Sequence, residues 1–180
     1  MSVLSFGMGK AHSVVIDDDG MVWTSGSNGC GQLGFNDTTT RNAFTAVPDL
    51  SGMVAAAAGW DDSFVLKDDG TVWSAGLNDH GQLGLGDSTN RKVFTQVSGL
   101  SGIIAVASGW YHTLALASDG TVWATGYNNY GQLGLGDTTS RPTFTQVPGL
   151  TDVTAIAAGG SHSLAIKSDG TLWGTGRNSS

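Results

Sequence analysis

The chain repeats itself every 50 residues, and that period restricts its possible architectures more than any other feature. Trp23, Trp73, Trp123 and Trp173 stand 50 apart. Asp19-Gly20, Asp69-Gly70, Asp119-Gly120 and Asp169-Gly170 keep the same step, as do the Gly-Gln-Leu-Gly segments that begin at Gly31, Gly81 and Gly131. Residues 51–100 and 101–150 agree at more than half their positions without a gap. The register gives three full units, 1–50, 51–100 and 101–150, and a partial fourth, 151–180. Units this short stack on one another to bury a continuous core, so residues 1–180 read as one domain.

Each unit reads as four short strands. In the third unit these are the Ala- and Ser-rich segment from Ile103 to Ser108, Leu114-Ala115-Leu116, Thr121-Val122-Trp123-Ala124, and Phe144-Thr145-Gln146-Val147. Asp119-Gly120 joins the second and third as a tight hairpin. A long Gly/Asn/Asp loop precedes the fourth. No segment has helical periodicity. Four-stranded units repeated at this length predict an all-β fold, a β-propeller of antiparallel blades that is incomplete within the chain. The small first-strand residues suit the crowded axis, and the third-strand tryptophans supply area for packing blade on blade.

Composition agrees with this. All fifteen acidic residues are Asp and none is Glu, and there are 28 Gly. Asp bonds its own backbone in turns, whereas Glu favours helix. A net charge of −7 repels phosphate backbones, so no nucleic-acid partner is expected. No apolar run is long enough for a membrane span. Met1-Ser2-Val3-Leu4 has no signal-peptide character, and the lone Cys30 has no disulfide partner within the chain. These features together predict a cytoplasmic protein.

The motifs resemble the regulator of chromosome condensation repeat family. They are Ala107-Ser108-Gly109-Trp110-Tyr111-His112-Thr113-Leu114-Ala115-Leu116, Asp119-Gly120-Thr121-Val122-Trp123, Gly126-Tyr127-Asn128 and Gly131-Gln132-Leu133-Gly134-Leu135-Gly136. The resemblance covers essentially the whole chain. It implies blades of a ring that usually has seven, and a function in binding other proteins. One member is a nucleotide-exchange factor for a small GTPase, which makes exchange activity a minor option. Another, a plant photoreceptor, carries Gly-Trp-Arg-His-Thr where this chain has Gly59-Trp60-Asp61-Asp62-Ser63, without the arginine.

The repeated residues are read as scaffold. His12, His112 and His162 share one slot with Asp62, one per blade, and are expected to be buried and bonded to nearby backbone rather than to hold a metal. Asp17-Asp18-Asp19 lacks the spacing and terminal Glu of a calcium loop. With no Glu, no Gly-x-Ser-x-Gly elbow, no partnered Cys and no phosphate cradle, neither an enzyme nor a cofactor is expected.

Function is expected where the repeats differ. Loops that follow the first and third strands share one face of a meander. That face gathers Trp60, Trp110, Tyr111, His80 and Tyr130, with Asp61, Asp62 and Asp79 among them, an aromatic surface with a polar rim suited to a protein partner. Two alternatives are a carbohydrate-binding propeller, whose aromatic series Lys10 and Gly160 interrupt, and a purely structural, self-assembling piece. An incomplete propeller has two open blade faces, which a piece of a longer protein, a solenoid-like stack with frayed ends or self-assembly would each account for. Of these, the expected partner is another copy, joined head to tail to close an eight-bladed ring.

Overall fold

The computed structural model describes residues 2–178. Blade one comprises β1 (Val3–Met8), β2 (His12–Asp17), β3 (Val22–Gly26) and β4 (Arg41–Ala46). Blade two comprises β5 (Met53–Ala58), β6 (Asp62–Lys67), β7 (Val72–Gly76) and β8 (Arg91–Gln96). Blade three comprises β9 (Ile103–Ser108), β10 (His112–Ala117), β11 (Val122–Gly126) and β12 (Arg141–Gln146). The fourth holds β13 (Val153–Ala158), β14 (His162–Lys167) and β15 (Leu172–Gly176). Each blade is an antiparallel meander in sequence order, three of them four-stranded and the last three-stranded. Among the described residues there is no helix, hence none able to cross a membrane.

The β2–β3 hairpin shows how the Asp-Gly pair works. The Gly20 amide bonds the Asp17 carbonyl, the Asp17 amide bonds the Met21 carbonyl, and Gly20 alone takes a left-handed φ of 74°. This is a three-residue loop whose glycine forms the closing bulge, so Asp19 keeps ordinary backbone angles. The Gly20 carbonyl then accepts the Met53 amide of the next blade, and Gly70 and Gly120 do the same for Ile103 and Val153. Each hairpin therefore sets the start of the following inner strand.

The apolar cores lie between blades. Val14, Ile16, Val22, Val47 and Leu50 of blade one pack on Met53, Val65 and Phe94 of blade two, with Trp73 against them. The same sides meet at the next two junctions, where Trp123 and Trp173 replace Trp73. The third-strand tryptophans thus pack blade on blade, as their period predicts. The inner strands β1, β5, β9 and β13 run side by side around the axis. At their ends the backbones nearly touch: a Cβ on Gly59 would overlap the Gly109 carbonyl, and one on Gly109 the Gly159 carbonyl.

The histidine slot differs from the sequence expectation in its partner. His12 Nε2 lies 2.9 Å from Ser63 Oγ, and His112 Nε2 lies 2.9 Å from Ser163 Oγ. The bond reaches the next blade's side chain instead of nearby backbone, because the inner loops bring the slots of neighbouring blades together. Ser163 donates its own proton to the Gln132 carbonyl, so the His112 Nε2–H is the donor. Burial pushes the His112 imidazole down to about 4, which keeps it neutral. Asp62 takes this slot in blade two and accepts from Ser108 Oγ and the Gly59 amide. His162, in the last of the described blades, is exposed.

Replacing His112 by Ala removes an inter-blade hydrogen bond and leaves a gap, at a cost of roughly 2–4 kcal/mol read from the urea midpoint. Asp62 generates a pH dependence. Burial pushes its carboxyl from 3.8 up to about 7, so between those values the folded chain binds more protons than the unfolded one. Its contribution is full at low pH and is lost as pH rises through about 7. Relative to wild type, Asp62→Asn should therefore become steadily more stable from pH 5 to pH 8 in urea titrations. A constant difference would contradict this.

Candidate functional site

Two sets of loops build the face, and each is tied down by hydrogen bonds of its own. In the loop between β7 and β8, Asn78 is fully buried; its Oδ1 accepts the Leu83 amide and its Nδ2 bonds the carbonyls of Asp87 and Thr89. Gln82 Oε1 accepts the His80 amide at the loop tip. Asn28 and Gln32 hold the Cys30 tip in the same manner, and Asn128 and Gln132 hold Tyr130. The repeated Gly-Gln-Leu-Gly segment is thus the clamp, and the variable residue before it is what the clamp presents. Behind each loop an aspartate–arginine pair closes the return to the outer strand: Asp37 with Arg41, Asp87 with Arg91, and Asp137 with Arg141.

The sequence-predicted residues divide into two groups. Near the axis, Trp60 and Trp110 pack edge to face, with ring centroids 4.7 Å apart. Lys10 Nζ sits 4.3 Å from the Trp60 ring centre. The Trp110 ring lies over Gly160, where a Cβ would come within 2.8 Å of it. These residues line an open groove of about 320 Å³ across the ends of the inner strands. Lys10 and Gly160, which break the aromatic series in sequence, are therefore its two ends: a cation caps one tryptophan and a bare backbone seats the other. Packing and exposure coexist here, since Trp110 remains 47% exposed.

Farther out, the ring of His80 meets Tyr111 at 5.1 Å and Tyr127 at 4.8 Å. Tyr127 also meets Tyr130 at 6.1 Å, and the Arg177 guanidinium lies 5.3 Å from the Tyr130 ring centre. Tyr130 is 46% exposed. Tyr127 joins the cluster, yet sequence reasoning treated it as part of a shared motif. Its slot carries Ser27, Leu77, Tyr127 and Arg177 in the four blades, so variability between repeats could have flagged it.

The aspartates have separate roles. Asp61 accepts from Gln32 Nε2 at 3.0 Å and ties blade two to blade one. The next blade has Tyr111 in that slot, and Gln82 Nε2 is buried there without a hydrogen-bond partner. Asp62 is scaffold, as described above. Asp79 is exposed beside His80. Burial, followed by the charges of Asp61, Asp79 and Asp62, raises the Cys30 thiol above its ordinary value, which disfavours the thiolate.

Among the described residues, Asp17, Asp18 and Asp19 form the one grouping of three carboxylates within metal-binding reach of each other. Asp17 Oδ1 accepts the Asp19 and Met21 amides, and Oδ2 accepts Trp23 Nε1 at 2.7 Å. That set of bonds anchors the hairpin.

The model of the RCC1-like domain matches residues 2–180. The chain belongs to this family. No curated protein matches the sequence significantly. Yeast RCC1 (Prp20), solved bound to Kap60, superposes with a TM-score of 0.85 at 22% identity, over 97% of this chain and 43% of that one. Human WBSCR16 gives 0.86 at 29% identity, over 97% and 47%. Prp20p from Saccharomyces cerevisiae, whose structure was described with its binding to Gsp1p and histones, gives 0.82 at 22%, over 97% and 45%. The chain thus spans less than half the length of each. The first and third likenesses establish the propeller fold.

Gly160 tests the inner group. Its backbone carries no left-handed φ, so Gly160→Ala is conformationally permitted and acts through the ring it displaces. Tryptophan emission should shift to longer wavelength as Trp110 swings into water, with a stability loss of about 1 kcal/mol or less. Unchanged emission would mean that Trp110 does not rest there.

Proposed function

We propose that this chain is a protein-interaction module whose binding surface is the aromatic loop face. The observation that carries this reading is the pre-held cluster of His80, Tyr111, Tyr127 and Tyr130 beside Trp60 and Trp110. Large, half-exposed aromatics fixed by buried amide clamps give contact area at little entropic cost on binding. The family supports it too, since the yeast relative was solved bound to a protein and described as binding others. Asp61 and Asp79 supply the polar rim.

Replacing Trp110 and Tyr130 together by Ala should abolish capture of the wild-type protein's partners in quantitative pull-downs, while the melting temperature shifts by only a few degrees. Equal capture by the double variant would remove this face from consideration. A large fall in melting temperature would assign the residues to packing instead.

Self-association is the second part of the proposal. Blade one turns outward Val3, Phe6, Met8 and Phe44, where the corresponding Met53, Ala56, Ala58 and Phe94 pack against the preceding blade. Blade four turns outward Leu164, Ile166 and Leu172, where Val14, Ile16 and Val22 are buried in blade one. His162 and Ser13 occupy the slots that form the His–Ser bond inside the chain. These are the two halves of one junction, and a second copy joined head to tail supplies both. Light scattering should give twice the 18.4 kDa chain mass, and His162→Ala with Leu172→Asp should return it to the monomer. A monodisperse monomer at micromolar wild-type concentration would end this part of the reading.

A further inference from the structure

Two of the chain's own cations already rest on this face. Lys10 Nζ lies over Trp60 and the Arg177 guanidinium over Tyr130. Between those rings lie two sets of ring contacts, Trp60 with Trp110, and Tyr111 through His80 and Tyr127 to Tyr130, with Trp110 and Tyr111 adjacent in the chain. Edge-to-face packing pairs ring edges with neighbouring faces, and the faces that remain carry the negative part of each ring quadrupole. They attract cations. The rim adds carboxylates of the same sign: Asp79 is exposed beside His80, and Asp61 is half-buried at the junction with blade one. Lys10 and Arg177 are the cations on the face itself, while Arg41, Arg91 and Arg141 are each paired with an aspartate of their own blade.

Taking the aromatic face as a protein-binding surface, we propose that its partner presents an arginine-bearing segment, whose guanidinium groups seat on Tyr111 and Tyr127. Arginine suits the site better than lysine. A planar guanidinium can lie flat on one ring and still donate from its edge to a rim carboxylate such as Asp79. Its weaker hydration also lowers the penalty for leaving water. Arg177 on Tyr130 is an instance of this chemistry within the chain. A neutral ligand such as a glycan gains from the rings but nothing from the aspartates, so charge separates the two occupants.

The probe is a fluorescein-labelled peptide of Arg-Gly-Gly repeats, compared with the same peptide carrying citrulline, which keeps the planar group and removes its charge. Anisotropy titration against the wild-type chain should show the arginine peptide binding roughly tenfold or more tightly than the citrulline peptide. Changing Tyr111 and Tyr127 together to Leu should remove most of that advantage, and changing both to Phe should retain it. Higher salt should weaken the arginine peptide more than the citrulline one. Equal affinity for the two peptides overturns the proposal, as does no binding of the arginine peptide, or undiminished binding by the Leu pair, which would mean general attraction to an acidic protein. The peptide comparison needs no variant, so a destabilised Leu pair does not weaken the test. If the arginine peptide fails while pull-downs still lose partners with Trp110 and Tyr130 replaced, the arginine assignment falls and the interaction module stands. If neither surface change affects capture, the module reading falls.

Discussion

Neighbouring blades approach one another backbone to backbone where the inner strands end. At Gly9, Gly59 and Gly109 there is no room for a Cβ, because the next blade's carbonyl lies in that space. The approach lets the Lys10 amide bond the Trp60 carbonyl, and the Trp60 amide the Gly109 carbonyl, across the junctions. Everything nearby inherits that spacing. It puts His12 within reach of Ser63 and His112 within reach of Ser163, and brings Trp60 and Trp110 into ring contact. A larger residue at these glycines would push the blades apart, opening the apolar junctions and loosening the aromatic face together.

Some of the polar contacts between blades are enclosed, the His–Ser pairs among them, which makes them selective. A buried hydrogen bond contributes modestly when formed, but a buried polar group left without its partner is expensive. The His–Ser pairs therefore favour one register of blade on blade over its alternatives. Asp62 varies the arrangement: with an aspartate in place of the ring, the acceptor faces Ser108 and the Gly59 amide, and one carboxylate oxygen is buried without a partner. The raised carboxyl that results is a property of the junction. It belongs to the buried scaffold behind the face.

The face itself combines clamp and cargo. Asn28, Asn78 and Asn128, with the glutamines of Gly-Gln-Leu-Gly, satisfy the loop backbones internally. The tip residues are then free of structural duty and can change from blade to blade, as Cys30, His80 and Tyr130 do. A surface of this kind can alter its specificity without altering its fold. Rigid loops carrying large aromatics also lose little freedom when a partner arrives, which is why the recognition reading rests on the clamps as much as on the rings.

Periodicity was enough to read the blades, the hairpins and the roles of the tryptophans, because each is a local consequence of a residue recurring at one step. The 50-residue period, the Asp-Gly pairs and the strand alternation all act within a single unit, and units stack in one way. The loop face could also be located in advance, since alternate loops of a meander must emerge together. Sequence could not decide which residues of that face touch. Lys10 and Gly160 look like interruptions of an aromatic series until the junction geometry makes them its two ends. Tyr127 looks like part of a shared motif until His80 of the preceding blade is placed against it. The histidines were recognisable as scaffold, but their serine partners lie 51 residues away in the next blade. Contacts of that kind depend on the distance and rotation between blades, and those are set by backbone approach at the glycines rather than by any pattern along the chain.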